Sequence, residues 1–196
     1  GTEWSFFKGR AIVDVTYFSA DLTNKIKTVY DSVFTPINLA GISQHRGLET
    51  SARFTFAPNL KLALAHTYLD ARDSDGLVEI RRPKHSASAT VTAGFAEGLG
   101  RIDLSAKYNG ATVDNAIRVF DFTNVRVNLD DYWLLGLAAS YKVRPGVELF
   151  GRVENILDQR AQDVFGFNAA GTAAYAGVKV TLGGKQSVGG QMQAPQ

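Results

Sequence analysis

HSASATVTAGFAEGLGRIDLSAKYN, residues His85–Asn109, decides the fold, because it holds two runs in which apolar and polar residues alternate. In the first, Ala87, Ala89, Val91, Ala93 and Phe95 alternate with Ser86, Ser88, Thr90, Thr92 and Gly94. In the second, Ile102, Leu104, Ala106 and Tyr108 alternate with Arg101, Asp103, Ser105, Lys107 and Asn109. Side chains point to opposite sides at period two only on a pleated strand, so the stretch predicts an antiparallel hairpin with one apolar and one polar face. Each run is about ten residues, the length that crosses a bilayer when tilted.

The same alternation extends outward in both directions. Over Arg10–Asp21, Ala11, Val13, Val15 and Tyr17 oppose Asp14 and Thr16, while Ile12 and Phe18 break the pattern. Over Arg46–Phe56, Leu48, Ala52, Phe54 and Phe56 oppose Glu49, Ser51, Arg53 and Thr55. Leu60–Leu69 is weakly periodic, and Asp131–Val143 places Trp133, Leu135, Leu137, Ala139 and Tyr141 together. Val147–Asn155 sets Val147, Leu149 and Val153 against Glu148, Arg152 and Glu154, with Phe150 on the charged side. Ala173–Leu182 sets Ala174, Ala176, Val178, Val180 and Leu182 against Tyr175, Gly177, Lys179 and Thr181. The reading is therefore all-β, with about eight antiparallel strands. Their connections alternate in length: Ala57-Pro58-Asn59, the turn near Gly98 and Arg144-Pro145-Gly146 are short, and the others are long. Short turns at one end and long loops at the other characterise transmembrane β-barrels.

Composition fits and narrows the choice. Nineteen Gly, 12 Phe, 7 Tyr and 2 Trp suit turns and strands, and the absence of Cys excludes disulfides, thiolate metal sites and a cysteine nucleophile. Lys and Arg number 21 against 19 Asp and Glu, interleaved, so no basic block marks a nucleic-acid partner. No apolar run is long enough for a transmembrane helix, a test that barrel strands escape because half their residues face the lumen. The opening Gly1-Thr2-Glu3-Trp4 reads as the start of a mature or truncated chain, and Gly183–Gln196 as a flexible or disordered tail to a barrel segment over 1–182. No catalytic constellation stands out, and no cofactor is expected. His66 reads as a wall histidine, and the three histidines are too scattered to suggest a metal set. Asp73 and Asp75 beside Gly76 have part of a calcium-loop spacing, but Lys84 stands where its bidentate glutamate belongs, so a solvated loop is expected.

Several segments carry a resemblance. VDVTYFSADLTNKI (Val13–Ile26), INLAGISQHRGLETSARF (Ile37–Phe54), Arg82-Pro83-Lys84-His85 and Val153-Glu154-Asn155-Ile156-Leu157-Asp158 follow one another as in TonB-dependent outer-membrane receptors of the vitamin B12 and siderophore type. Ile156-Leu157 replaces the family's Leu-Phe, and Leu182 followed by a tail replaces its terminal aromatic. The resemblance implies the carboxyl-terminal part of a barrel of about 22 strands around a plug. It further implies a bacterial outer-membrane location and import, rather than catalysis, of a scarce bulky nutrient such as a ferric siderophore or cobalamin. The partners would be the rest of the barrel and plug, the TonB complex through that plug, outer-membrane lipids and a small-molecule or metal-chelate ligand. On that reading the long loops offer Arg72, Arg81, Arg118, Phe165 and Phe167 to the ligand. Glu49, Arg53, Arg101, Asp103, Lys107, Glu148, Arg152 and Glu154 would face the lumen or plug. Tyr17, Tyr68, Phe95, Tyr108, Trp133, Tyr141 and Tyr175 would anchor the strands at the membrane interfaces. The other reading is a self-contained small barrel with an adhesion or envelope-structural role, its first and last strands paired.

Overall fold

A computed structural model of the chain describes residues 1–29, 35–118, 120 and 123–182. It contains β1 (Thr2–Phe6), β2 (Ala11–Thr23), β3 (Ile26–Val29), β4 (Thr35–Asn38), β5 (Ile42–Ala57), β6 (Leu60–Arg72), β7 (His85–Phe95), β8 (Gly100–Asn109), β9 (Thr112–Ile117), β10 (Asn124–Leu129), β11 (Tyr132–Arg144), β12 (Val147–Glu154) and β13 (Ala173–Val180). Nine of them form one sheet in the order β1-β2-β5-β6-β7-β8-β11-β12-β13, every neighbour antiparallel. The other four make two separate hairpins, β3 with β4 and β9 with β10, inside long connections read from the sequence as loops with short strand extensions. The tail after Leu182 lies outside the described residues.

The strand count differs from the sequence reading. β1 is an additional strand of five residues, too short to display a period, and it displaces β2 from the edge of the sheet. Its presence has a geometric consequence. Eight antiparallel steps separate β1 from β13, so the two edge strands run parallel to each other. Among the described residues they are not paired, and the sheet is open.

Register makes the two faces continuous. Val91 lies opposite Leu104, Leu104 opposite Leu137, and Leu137 opposite Val153. On the other side Thr92, Asp103, Ala138, Arg152 and Tyr175 follow one another across five strands. Nothing else in the described chain covers the apolar face: Leu104 is 49% exposed and Trp133 48%. Buried apolar side chains are few and small, apart from Leu129 and Tyr132.

The breaks in the sequence pattern have a cause in the neighbouring strands. Phe18 lies on the polar face opposite Gly47, and Phe150 opposite Gly177. A Cβ on Gly47 would fall 2.4 Å from Phe18, and one on Gly177 2.6 Å from Phe150. Each ring therefore lies over a strand glycine, covering backbone that has no side chain of its own. Tyr175 also belongs to the polar face, where its ring lies 4.6 Å from the Arg152 guanidinium, so it does not share the girdle expected of it. Tyr108 and Trp133, 4.9 Å apart, and Phe95 and Tyr141, 6.1 Å apart, mark the two ends of the apolar face.

Candidate functional site

The short turns lie at one end of the sheet and include a single 3-10 turn, Ala96–Gly98, whose Gly98 takes a φ of 87°. The described parts of the long connections, 24–29, 35–41, 73–84, 110–118, 120, 123–131 and 155–172, gather at the other end. Polar side chains that are almost completely buried tie these connections together. A buried carboxylate is costly unless it is paired and hydrogen-bonded, so each such group fixes the segments that satisfy it.

Glu79 is 6% exposed. Its carboxylate accepts a hydrogen bond from Lys25 Nζ and lies 3.2 Å from His45 Nε2, an ion-pair distance outside hydrogen-bond alignment. Arg82 Nε stands 3.9 Å away. Burial alone would raise the Glu79 pKa, but the contacts from Lys25 and His45 outweigh it and hold the group below its ordinary value.

Asp114 is fully buried and joins three connections. Its Oδ1 accepts from Arg81 Nε at 2.9 Å and from the Asn115 amide at 2.8 Å, and its Oδ2 from the Phe165 amide at 2.7 Å. Burial pushes its pKa up, yet the Phe165 amide and the Arg81 guanidinium leave it lowered. Asn155 closes the last connection on itself. Its side-chain amide donates to Gln159 O and Ala170 O, both at 3.0 Å, and accepts from the Gln159 amide. Asp158 Oδ1 accepts from the Thr172 amide at 3.0 Å. Asn155 and Asp158 have φ of 48° and 50°, a left-handed conformation that these residue types tolerate better than most. Ile156 and Leu157 between them are 41% and 49% exposed, so neither side chain is packed into the loop layer.

Between these ties lies an open cleft of about 490 Å³ lined by Lys25, Glu79, Arg81, Arg82, Asn115 and Arg126, among others. Arg126 donates to Val78 O, and among the described residues the exposed Arg82 stands at the 3.9 Å contact with Glu79. The arrangement offers guanidinium groups on a rigid frame, suited to carboxylate, phosphate or other anionic oxygen groups.

The proposed ligand-contacting residues are distributed unevenly. Arg81 lines the cleft, and Phe165 is linked to it through Asp114. Arg72 is turned to Asp70 at 2.8 Å, and Arg118 stands at the far end of the β9–β10 hairpin. Phe167 is 72% exposed beside its bridge partner Val164. Asp73 is engaged within its own turn, accepting the amides of Asp75 and Leu77. All eight residues assigned to the lumen share the polar face. Arg101 pairs with Asp103 there at 2.7 Å, Arg152 with Glu154 at 3.2 Å, while Glu148 lies opposite Lys179, Glu49 opposite Thr16, Arg53 opposite Ile12 and Lys107 opposite Ser88. Lys25, His45, Glu79, Asp114 and Arg126 were not singled out from sequence. The one available signal was a carboxylate within a short apolar run, as in Val78-Glu79-Ile80.

Residues 1–156 match the family described as TonB dependent receptor-like, beta-barrel. The chain is 34% identical over 116 residues to the vitamin B12 transporter BtuB of Photobacterium profundum, covering 58% of this chain and 17% of that protein. It is 26% identical over 141 residues to the vitamin B12 transporter BtuB of Vibrio cholerae, covering 72% and 22%. The fold matches the ferripyoverdine receptor of the outer membrane of Pseudomonas aeruginosa with a TM-score of 0.75 at 16% identity, over 91% of this chain and 26% of that one. It also matches the ferric-catecholate import receptor Fiu from K12 E. coli, with a TM-score of 0.69 at 17% identity, over 91% and 26%. The chain thus spans less than a quarter of the length of the vitamin B12 transporters it matches.

Proposed function

Because the chain belongs to the TonB-dependent receptor-like β-barrel family of the bacterial outer membrane, we propose that it forms a wall section of an importer whose loop layer captures a scarce, bulky nutrient such as a ferric siderophore or cobalamin. The apolar face would meet lipid, and the polar face the lumen and a plug through which the TonB complex acts. The observation that carries this reading is the cationic cleft between three long connections that buried Glu79 and Asp114 hold together. A fixed frame reduces the ordering cost of binding, and exposed guanidinium groups recognise anionic oxygen on a chelate.

The test is binding and uptake by the full-length protein in outer-membrane vesicles or whole cells, using labelled cobalamin and a panel of labelled ferric chelates. Replacing Arg82 and Arg126 together by Ala should weaken binding of the imported compound by about tenfold or more, with surface expression retained. Undiminished binding and uptake in that variant would remove the cleft from the capture step.

A further inference from the structure

We propose that His66 and His85 form a binding site for a divalent late first-row transition ion on the apolar face of the sheet, separate from the loop cleft. Far apart in sequence, the two residues are brought together by strand pairing. His85 lies directly opposite Tyr68, and His66 opposite Ala87, so the two imidazoles are diagonal neighbours on the same face. His66 Nε2 and His85 Nδ1 stand 3.2 Å apart, with ring centroids at 5.5 Å. Metal–imidazole bonds of about 2.0–2.1 Å place two adjacent ligand nitrogens about 2.9–3.4 Å apart, from square-planar to tetrahedral geometry. The pair thus already has the separation that a chelate requires.

The chemistry of the donors selects the ion. Imidazole nitrogen favours copper, nickel and zinc, whereas calcium and magnesium require oxygen. Both histidines are exposed at the loop end of the apolar face, where the proposed membrane interface would supply water or an outside donor for the remaining coordination positions. The surroundings restrict the rings. Tyr68 packs against His85 with centroids 5.3 Å apart, and the Lys84 ammonium lies over the Tyr68 ring. His66 is in the cross-strand ladder that continues through Ala87 and Tyr108 to Trp133, level with the aromatic residues at the loop end of the apolar face. His45, the remaining histidine, is engaged with Glu79 in the loop layer and provides an internal control.

Copper(II) is the probe of choice because it binds such donors most strongly. The full-length protein in detergent micelles, titrated with Cu²⁺, should give an electron paramagnetic resonance signal with nitrogen coupling from two imidazoles. That coupling should be lost in His66→Ala and in His85→Ala and persist in His45→Ala. A second measurement needs no variant: bound Cu²⁺ should protect His66 and His85 of the native sequence from carbethoxylation together, read by peptide mass spectrometry. A copper signal unchanged by either substitution, or two histidines equally reactive with and without the ion, would overturn the site and leave a simple imidazole–imidazole hydrogen bond.

Discussion

Asp114 concentrates in one side chain what holds the loop layer together. Replacing it by Ala leaves the Phe165 amide and the Arg81 guanidinium without their acceptor. Hydrogen bonds to charged groups contribute about 1.5–3 kcal/mol each, and part of that is recovered from water, so the local loss should be about 3 kcal/mol. Hydrogen exchange should report it as faster opening of 113–117 and 163–167, with the sheet strands unaffected. Glu79 and Asp114 also predict a pH response. Both pKa values are depressed in the folded state, so their contribution is fully present above the ordinary carboxylate range and is lost as pH falls through the lowered folded values. Protection of the 73–84 and 110–118 amides, corrected for intrinsic exchange, should therefore fall below about pH 4 while strand protection persists. Equal protection at pH 7 and pH 3 (about the extremes needed) would contradict the linkage. Little of this was legible in the sequence. A buried ion pair between loops has no period, and Arg81 and Asp114 are linked only through the packing of two connections.

Strands were more legible, because alternation is local and the sheet keeps one face apolar and the other polar from strand to strand. The places where the pattern failed are where a residue answers to another strand. Phe18 and Phe150 appear misplaced until register sets them against Gly47 and Gly177. β1 was missed because five residues cannot establish a period, and the β3–β4 and β9–β10 hairpins because strands this short depend on tertiary support. The aromatic-over-glycine pairs make a specific prediction. Gly47→Ala would force its methyl into the Phe18 ring and the Tyr68 carbonyl, and should cost about 1–3 kcal/mol. Combining it with Phe18→Leu should recover part of that loss, whereas pairing Gly47→Ala with Phe150→Leu should be additive. Thermal denaturation of the full-length protein in detergent measures both; additivity in the first combination would remove the ring from the explanation.

At the scale of the molecule, the two sheet edges determine how the chain is used. Among the described residues β1 and β13 each present an unpaired edge of backbone groups, which hydrocarbon leaves unsatisfied at several kcal/mol apiece. A chain of eight strands could have closed on itself with antiparallel edges. With nine, direct closure would have to be parallel, whereas bacterial single-chain barrels have even strand numbers and antiparallel neighbours. The edges are therefore predicted to pair with further strands of a larger barrel. The 196 residues contain no cysteine of their own to compete with introduced pairs, and the unsubstituted full-length protein serves as the blank. Thr90→Cys with Ser105→Cys, opposite each other in β7 and β8, should oxidise to a disulfide and serves as the positive control. Glu3→Cys or Ser5→Cys in β1, combined in turn with Tyr175→Cys, Gly177→Cys or Lys179→Cys in β13, should not form an intramolecular bond in the full-length protein, since bridging requires Cα atoms within about 7 Å. The six combinations sample the registers in which these polar-face positions of β1 and β13 would meet. Efficient cross-linking of any edge pair would restore the self-contained barrel; failure of all of them beside an oxidised control places other strands between the edges.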